Sequence, residues 1–252
     1  MSLARLSLFA LLIAAAPGGL SQEPATPPQL WELRTTEVLP GKVAIYERLL
    51  GMVREAQREA GWDGLSITHQ VRVGTLGTYY TATRRNSWSE LAPVQLFNDN
   101  DLRKIRDLAS ESIRQATVQM FVLREDLGRP RPEGSGPSDF YRTLFVDAKR
   151  GAALAYEQAV QKLAEAHAKA GSGNYWIGMA PSTGSGSTYR FLLFGSWEPS
   201  GAPSMSNVEA LTRAFGAAEG NRWLTQLRDS SVAGRTVLSI NRPDLSYLPE
   251  TD

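Results

Sequence analysis

From residue 30 onward the chain switches between two hydrophobic periods. Leu65, Ile67, His69, Val71 and Val73 share one side of a two-residue repeat, with Ser66, Thr68, Gln70 and Arg72 on the other, the pattern of a half-buried strand. Tyr46, Leu49, Leu50 and Val53 recur at i, i+3, i+4 and i+7, which predicts a helix over 42–60 that Gly61 ends. Around these lie an expected strand over 30–38, closed by Pro40-Gly41, and a return strand over 78–84 behind the glycine turn at 74–77. A second helix is expected over 101–115, with Leu102, Ile105, Ala109 and Ile113 on one stripe, and a last strand over 118–124. The order is β-α-β-β-α-β, a ferredoxin-like unit.

The pattern then repeats. Strands are expected over 140–147, 175–180, 189–197 and 236–241. A helix over 151–170 carries Tyr156, Ala159, Val160 and Leu163 on one face. Ser206 and Glu209 form a capping box for the next helix, and a further helical piece covers 221–227. Short matches run through both halves in the same order: Arg34-Thr35 with Arg142-Thr143, Tyr46-Glu47 with Tyr156-Glu157, Ala60-Gly61 with Ala170-Gly171, and Ser87-Trp88 with Ser196-Trp197. Arg124, Asp126 and Leu127 answer Arg242, Asp244 and Leu245. This is a tandem duplication. The expected organisation is a leader over 1–21, a Pro-rich lead-in over 22–29, repeats over 30–127 and 139–245 joined by a Pro/Gly linker over 128–138, and a tail over 246–252. In a ferredoxin-like unit the helices cover one sheet face. The fold class is therefore α+β, two repeats whose antiparallel sheets pack bare face to bare face as an α/β barrel.

Composition narrows the function. Lys and Arg number 27 against 26 Asp and Glu, so no electrostatic footprint for nucleic acid and no polybasic membrane patch is present. The absence of cysteine removes disulfides, thiolate catalysis and Cys-ligated metals, and two histidines leave little for a multi-His metal site. Residues 6–16 are almost wholly apolar behind a single charge at Arg5, and small residues at Gly19 and Ser21 precede Gln22. This reads as a secretory signal peptide, hence an exported protein, periplasmic or secreted. The apolar run is too short to span a bilayer; an uncleaved anchor is the other reading.

Leu33-Arg34-Thr35, Pro40-Gly41-Lys42, a helix with an aromatic at Tyr46, and Trp88 after the third strand resemble the NIPSNAP branch of the dimeric α/β-barrel superfamily. The resemblance covers about 200 residues in both halves. It implies that fold, in a superfamily of cofactor-free monooxygenases, haem enzymes and isomerases. It carries no catalytic constellation onto this chain.

The residues themselves offer several candidates. His69, central in its strand on the apolar side, is a candidate general base or haem ligand, or else a core histidine held by one hydrogen bond. His167 near its helix end suits a cation at the helix dipole. Arg34 and Arg142, at matching places in the first strand of each repeat, would clamp a carboxylate or enolate if they faced a closed interior; the alternative is a structural ion pair with Glu37 or Asp147. Arg84 and Arg190 near the third strands invite the same two readings, and Tyr80 belongs to an aromatic group that would wall a pocket or fill a core. The loop 182–187 lacks the lysine and following helix of a phosphate loop, and Asp99 and Asp101 suit helix capping better than calcium. The leading expectation is a small, partly apolar ligand bound between the sheets without catalysis, with no cofactor, by a monomer or homodimer. A cofactor-independent oxygenase or isomerase using His69 is the second reading. A filled structural module is the third.

Overall fold

A computed structural model describes residues 29–85, 97–132, 135, 138–182, 187–195, 204–232 and 234–249. The leader, Trp88, Trp197 and most of the 182–187 loop lie outside the described residues. The first repeat runs β1 (Leu30–Val38), α1 (Val43–Glu59), β2 (Ser66–Val73), β3 (Thr78–Arg85), α2 (Asp99–Ser112) and β4 (Ile113–Leu123). The second runs β5 (Phe140–Asp147), α3 (Ala153–Lys169), β6 (Trp176–Pro181), β7 (Thr188–Gly195), α4 (Asn207–Phe215), α5 (Ala217–Ser230) and β8 (Arg235–Asn241).

Local chemistry explains most boundaries. Gly61 and Gly171 follow α1 and α3 with φ of 57° and 65°, the left-handed conformation that glycine tolerates best. The Asn98 side chain caps α2 by accepting from the Asp101 backbone, and Asp99 and Asp101 occupy the first turn. One boundary corrects the expectation: helix was expected to residue 115, yet α2 stops at Ser112 and β4 begins at Ile113. Ile113 extends the helical stripe, but Gln115 pairs opposite Glu37 and Thr117 opposite Thr35, so sheet pairing overrides the local period. The start of the expected linker is tied down as well, because Arg129 and Trp176 exchange backbone hydrogen bonds of 2.8 and 2.9 Å.

The eight strands close a barrel in the order β1-β3-β2-β8-β5-β7-β6-β4. Each repeat contributes four consecutive strands. Two antiparallel seams, β2 with β8 and β4 with β6, join them. Strand alternation then sorts the side chains. Leu33, Val71, Tyr80, Phe121, Phe145, Met179 and Val237 point inward and form one cluster drawn from both sheets. The opposite faces meet the helices. In the first repeat, Val38 and Tyr79 pack with Tyr46 and Leu49 of α1 and Leu108 of α2. Among the described residues no helix is long and apolar enough to cross a membrane.

The duplication extends to matched polar clasps. The Tyr79 hydroxyl donates to Glu47 at 2.7 Å, and Tyr189 donates to Glu157 at 2.7 Å. Arg242, just beyond β8, reaches back to Glu47 in α1 while gripping Asp244. Arg124, just beyond β4, donates to Glu157 in α3 at 3.0 Å while gripping Asp126 at 2.8 Å. The ring pairs Tyr46–Tyr79 and Tyr156–Tyr189 share a centroid distance of 4.9 Å. Each repeat thus ends in an arginine that crosses to the first helix of the other, the reciprocal arrangement of a twofold dimer held within one chain. A further close approach sits at Gly178, where a Cβ would lie 2.6 Å from the Leu127 carbonyl oxygen, so only glycine lets that turn reach β6.

Candidate functional site

The second repeat is roofed differently from the first. Its helices α4 and α5 pack on α3 through Ala166, Met205, Ala210 and Leu211, a cluster separate from the one on the sheet. They lean on α3 and leave open the sheet surface beside it. A cleft of about 890 Å³ remains there, within the range of small-molecule sites. Leu144, Val146, Phe191 and Leu193 form its floor, Tyr156, Val160 and Leu163 its α3 wall, and Met205 and Leu227 its far side.

One end of the cleft is polar. Trp176 pairs across β6–β7 with Leu193, and Leu193 pairs with Arg142 on β5, so Arg142 shares a row with Trp176. His167 meets Trp176 edge-on at 5.4 Å. His167 Nδ1 lies 2.9 Å from the Ser172 hydroxyl and Nε2 3.1 Å from Asn207 Oδ1. The Asn207 oxygen accepts, which assigns the proton to Nε2. Burial holds the His167 pKa below its ordinary value, with a smaller push from Arg129. The side chain is thus a neutral strut and not the helix-end cation expected. Asn174 donates to the Met205 carbonyl at 2.6 Å and fixes the entry to α4. Arg142 and Arg228 stand exposed at the margin, and neither makes an ion pair among the described residues.

The sequence candidates separate into two groups. Register puts His69, Tyr80 and Arg190 on the inner barrel face, since His69 pairs with Tyr80 and Arg190 with Phe145. His69 stacks on Tyr141 at 4.4 Å, and its Nδ1 lies 3.5 Å from the Ser239 hydroxyl. Burial, aided by the Arg190 charge, pushes its pKa down to about 3. Arg190 is 2% exposed, and burial brings its pKa down to about 10. Burial also raises Tyr80. Arg84 pairs opposite Trp31, also on the inner face but two paired positions beyond Ala82 and Leu33.

Arg34 and Arg142 do not join that group. Arg34 pairs with Thr81 and Arg142 with Leu193, both on the outer, helix-side face. The expected interior clamp fails because each lies one residue out of phase with the inward positions Leu33 and Thr143. Arg34 lies 3.8 Å from Glu32, and not beside Glu37. Arg142 reaches the cleft only because that cleft lies outside the barrel. The cleft is therefore on the far side of the second sheet from the space expected to hold ligand. Sequence reasoning passed over Asn174, Met205 and Leu227; the one available signal was the break at Gly216 that divides the last helical region into two arms.

Haem is the cofactor that the fold resemblance brings into question. A haem ligated by histidine in the cleft would need a free imidazole nitrogen there. Both nitrogens of His167 are engaged, and His69 sits inside the barrel. The residues do not fit haem ligated by histidine.

No family model matches the chain, and no curated protein matches it. Solved structures do match in shape. A proposed monooxygenase from Lactobacillus acidophilus NCFM superposes with a TM-score of 0.54 at 9% identity, covering 87% of this chain and 96% of that one. A second proposed monooxygenase, from Fusobacterium nucleatum, gives 0.53 at 9% identity over 85% and 92%. An anthrone oxidase-like protein gives 0.51 at 10% identity over 86% and 92%. These likenesses show the dimeric α/β-barrel fold.

Proposed function

We propose that this protein binds a small, partly apolar, acidic molecule in the cleft of its second repeat, its apolar part between β5/β7 and α3 and its charge at Arg142. The carrying observation is the cleft itself: a volume of about 890 Å³, walled by aliphatic and aromatic side chains, with a guanidinium on its margin that makes no ion pair among the described residues. Engagement of both His167 nitrogens supports holding a ligand over proton transfer. We further propose that the chain is exported, on the strength of residues 1–21. N-terminal sequencing of exported material should then begin near Gln22; an intact Met1 would overturn it. One chain closes the barrel, so the site needs no second copy.

Calorimetric titration with decanoate tests the cleft. Saturable binding is expected, and Arg142→Met should weaken it about tenfold, the loss of one charge-assisted contact of about 1.4 kcal/mol. Leu163→Trp, which fills the cleft, should abolish it. Equal binding by wild type and both variants would sink the assignment.

A second reading, a cofactor-independent oxygenase or isomerase, takes its motive from the names of the fold neighbours. One observation favours it: an unprotonated imidazole, His69, held inside the barrel and electrostatically coupled to Arg190. Its test is turnover lost in His69→Gln while decanoate binding persists.

A further inference from the structure

Among the described residues, the barrel interior contains a charge without a counter-charge. Arg190 is fully enclosed, and among the described residues its side chain makes a single hydrogen bond, a long one from Nη1 to Met179 Sδ at 3.9 Å. Its Nε has no partner. Burying an isolated ion costs several kcal/mol or more, which is why buried charges are normally paired.

The surroundings repeat the deficit. Buried polar atoms without partners include Trp31 Nε1, Thr78 Oγ1, Thr143 Oγ1 and Asn241 Oδ1, and all four residues lie on the inner face by register. Tyr80 and His69 are electrostatically coupled to Arg190. The inner-face carboxylates do not neutralise it: Asp147 accepts from Thr188, and neither Asp147 nor Glu37 forms an ion pair with Arg190. The other cation nearby, Arg235, lies over the Phe145 ring at 4.5 Å and adds positive charge. The site is thus rich in donors, and its enclosed guanidinium has no ion-pair partner among the described residues. Phe145, Met179 and Tyr80 supply an apolar lining.

We propose that the barrel interior binds a small carboxylate on the Arg190 guanidinium, at a site separate from the outer cleft. A guanidinium offers two parallel donors that match a planar carboxylate, and the apolar neighbours accommodate a short alkyl group. The neutral hydroxyls of Thr143 and Thr78 and the indole N–H of Trp31 are further donors available to such a ligand.

Thermal unfolding of the full chain in sodium acetate, against sodium chloride at equal ionic strength, tests this. A ligand bound only by the folded state stabilises by mass action, so the wild-type Tm should climb about 3–5 °C for each tenfold rise in acetate above saturation. Arg190→Met should lose that response and keep or exceed the wild-type Tm in chloride. Arg142→Met, at the outer cleft, should retain the response, so failure here is distinguishable from failure of the cleft reading. If Arg190→Met does not fold, Arg190→Gln takes its place. Broadening of the ¹³C-acetate resonance by wild-type protein needs no variant. An equal response to chloride, no acetate response in wild type, or an undiminished response without Arg190 would each overturn the proposal.

Discussion

Acidification from pH 6.5 to pH 5 is expected to lower the stability of the protein by roughly 2 kcal/mol through His69 alone. The group is 5% exposed, and burial beside Arg190 holds its folded pKa at about 3. The unfolded chain carries the same histidine near its ordinary 6.5. Between these values the unfolded state binds a proton that the folded state refuses. Stability is therefore flat above pH 6.5 and falls as pH drops toward 3, with a slope of about 1.4 kcal/mol per pH unit. His167, also held below its ordinary value, adds in the same direction. Urea midpoints at half-unit pH steps measure this. His69→Gln should flatten much of the curve between pH 6.5 and 4. A wild-type midpoint that stays level from pH 7 to pH 5 refutes the account. Occupation of the interior by an anion at Arg190 would offset part of the Coulombic push, raise the folded pKa of His69, and so make the total loss smaller and end it at a higher pH.

The second large effect is expected at the clasps. Glu47→Ala takes the acceptor from the Tyr79 hydroxyl and one of two carboxylates from Arg242, which keeps Asp244 and whose side chain is 18% exposed. Breaking a buried pair costs about 3–5 kcal/mol, and partial solvation here reduces that to roughly 2. Glu157→Ala does the same to Tyr189 and Arg124. The two clasps share no residue, so the double variant should lose about 4 kcal/mol, near the sum. Glu219→Ala, in the exposed Arg222 pair, is the comparison and should cost about 0.5 kcal/mol or less. A double variant no weaker than Glu219→Ala in urea would dismiss the clasps as stabilising elements.

The fold was legible because the period of each element and its neighbours agreed. β1 and β5 lie over 30–38 and 140–147, as expected. The inward placement of His69 also follows from phase, since it alternates with Thr68 and Gln70. Arg34 failed for the same reason in reverse. Its phase was equally readable, since it adjoins Leu33, whose side chain faces the interior. The paired Arg124 and Arg242 were visible as matches, yet which helix each would clasp depends on the exchange between repeats. The outer cleft was illegible. It arises from the lean of α4 and α5 on α3, a matter of how Ala166, Ala210 and Leu211 fit together. Likewise, no local pattern distinguishes Arg190 from any other strand arginine; its isolation is set by side chains distant in the chain.

Strand β8 lies between β2 and β5, so the cylinder cannot shut until residues 235–241 have left the ribosome. Until then the nascent first half presents β2 as an open hydrogen-bonding edge, the kind of surface on which chains stick to one another. A barrel built this way closes only after its eighth strand has been made.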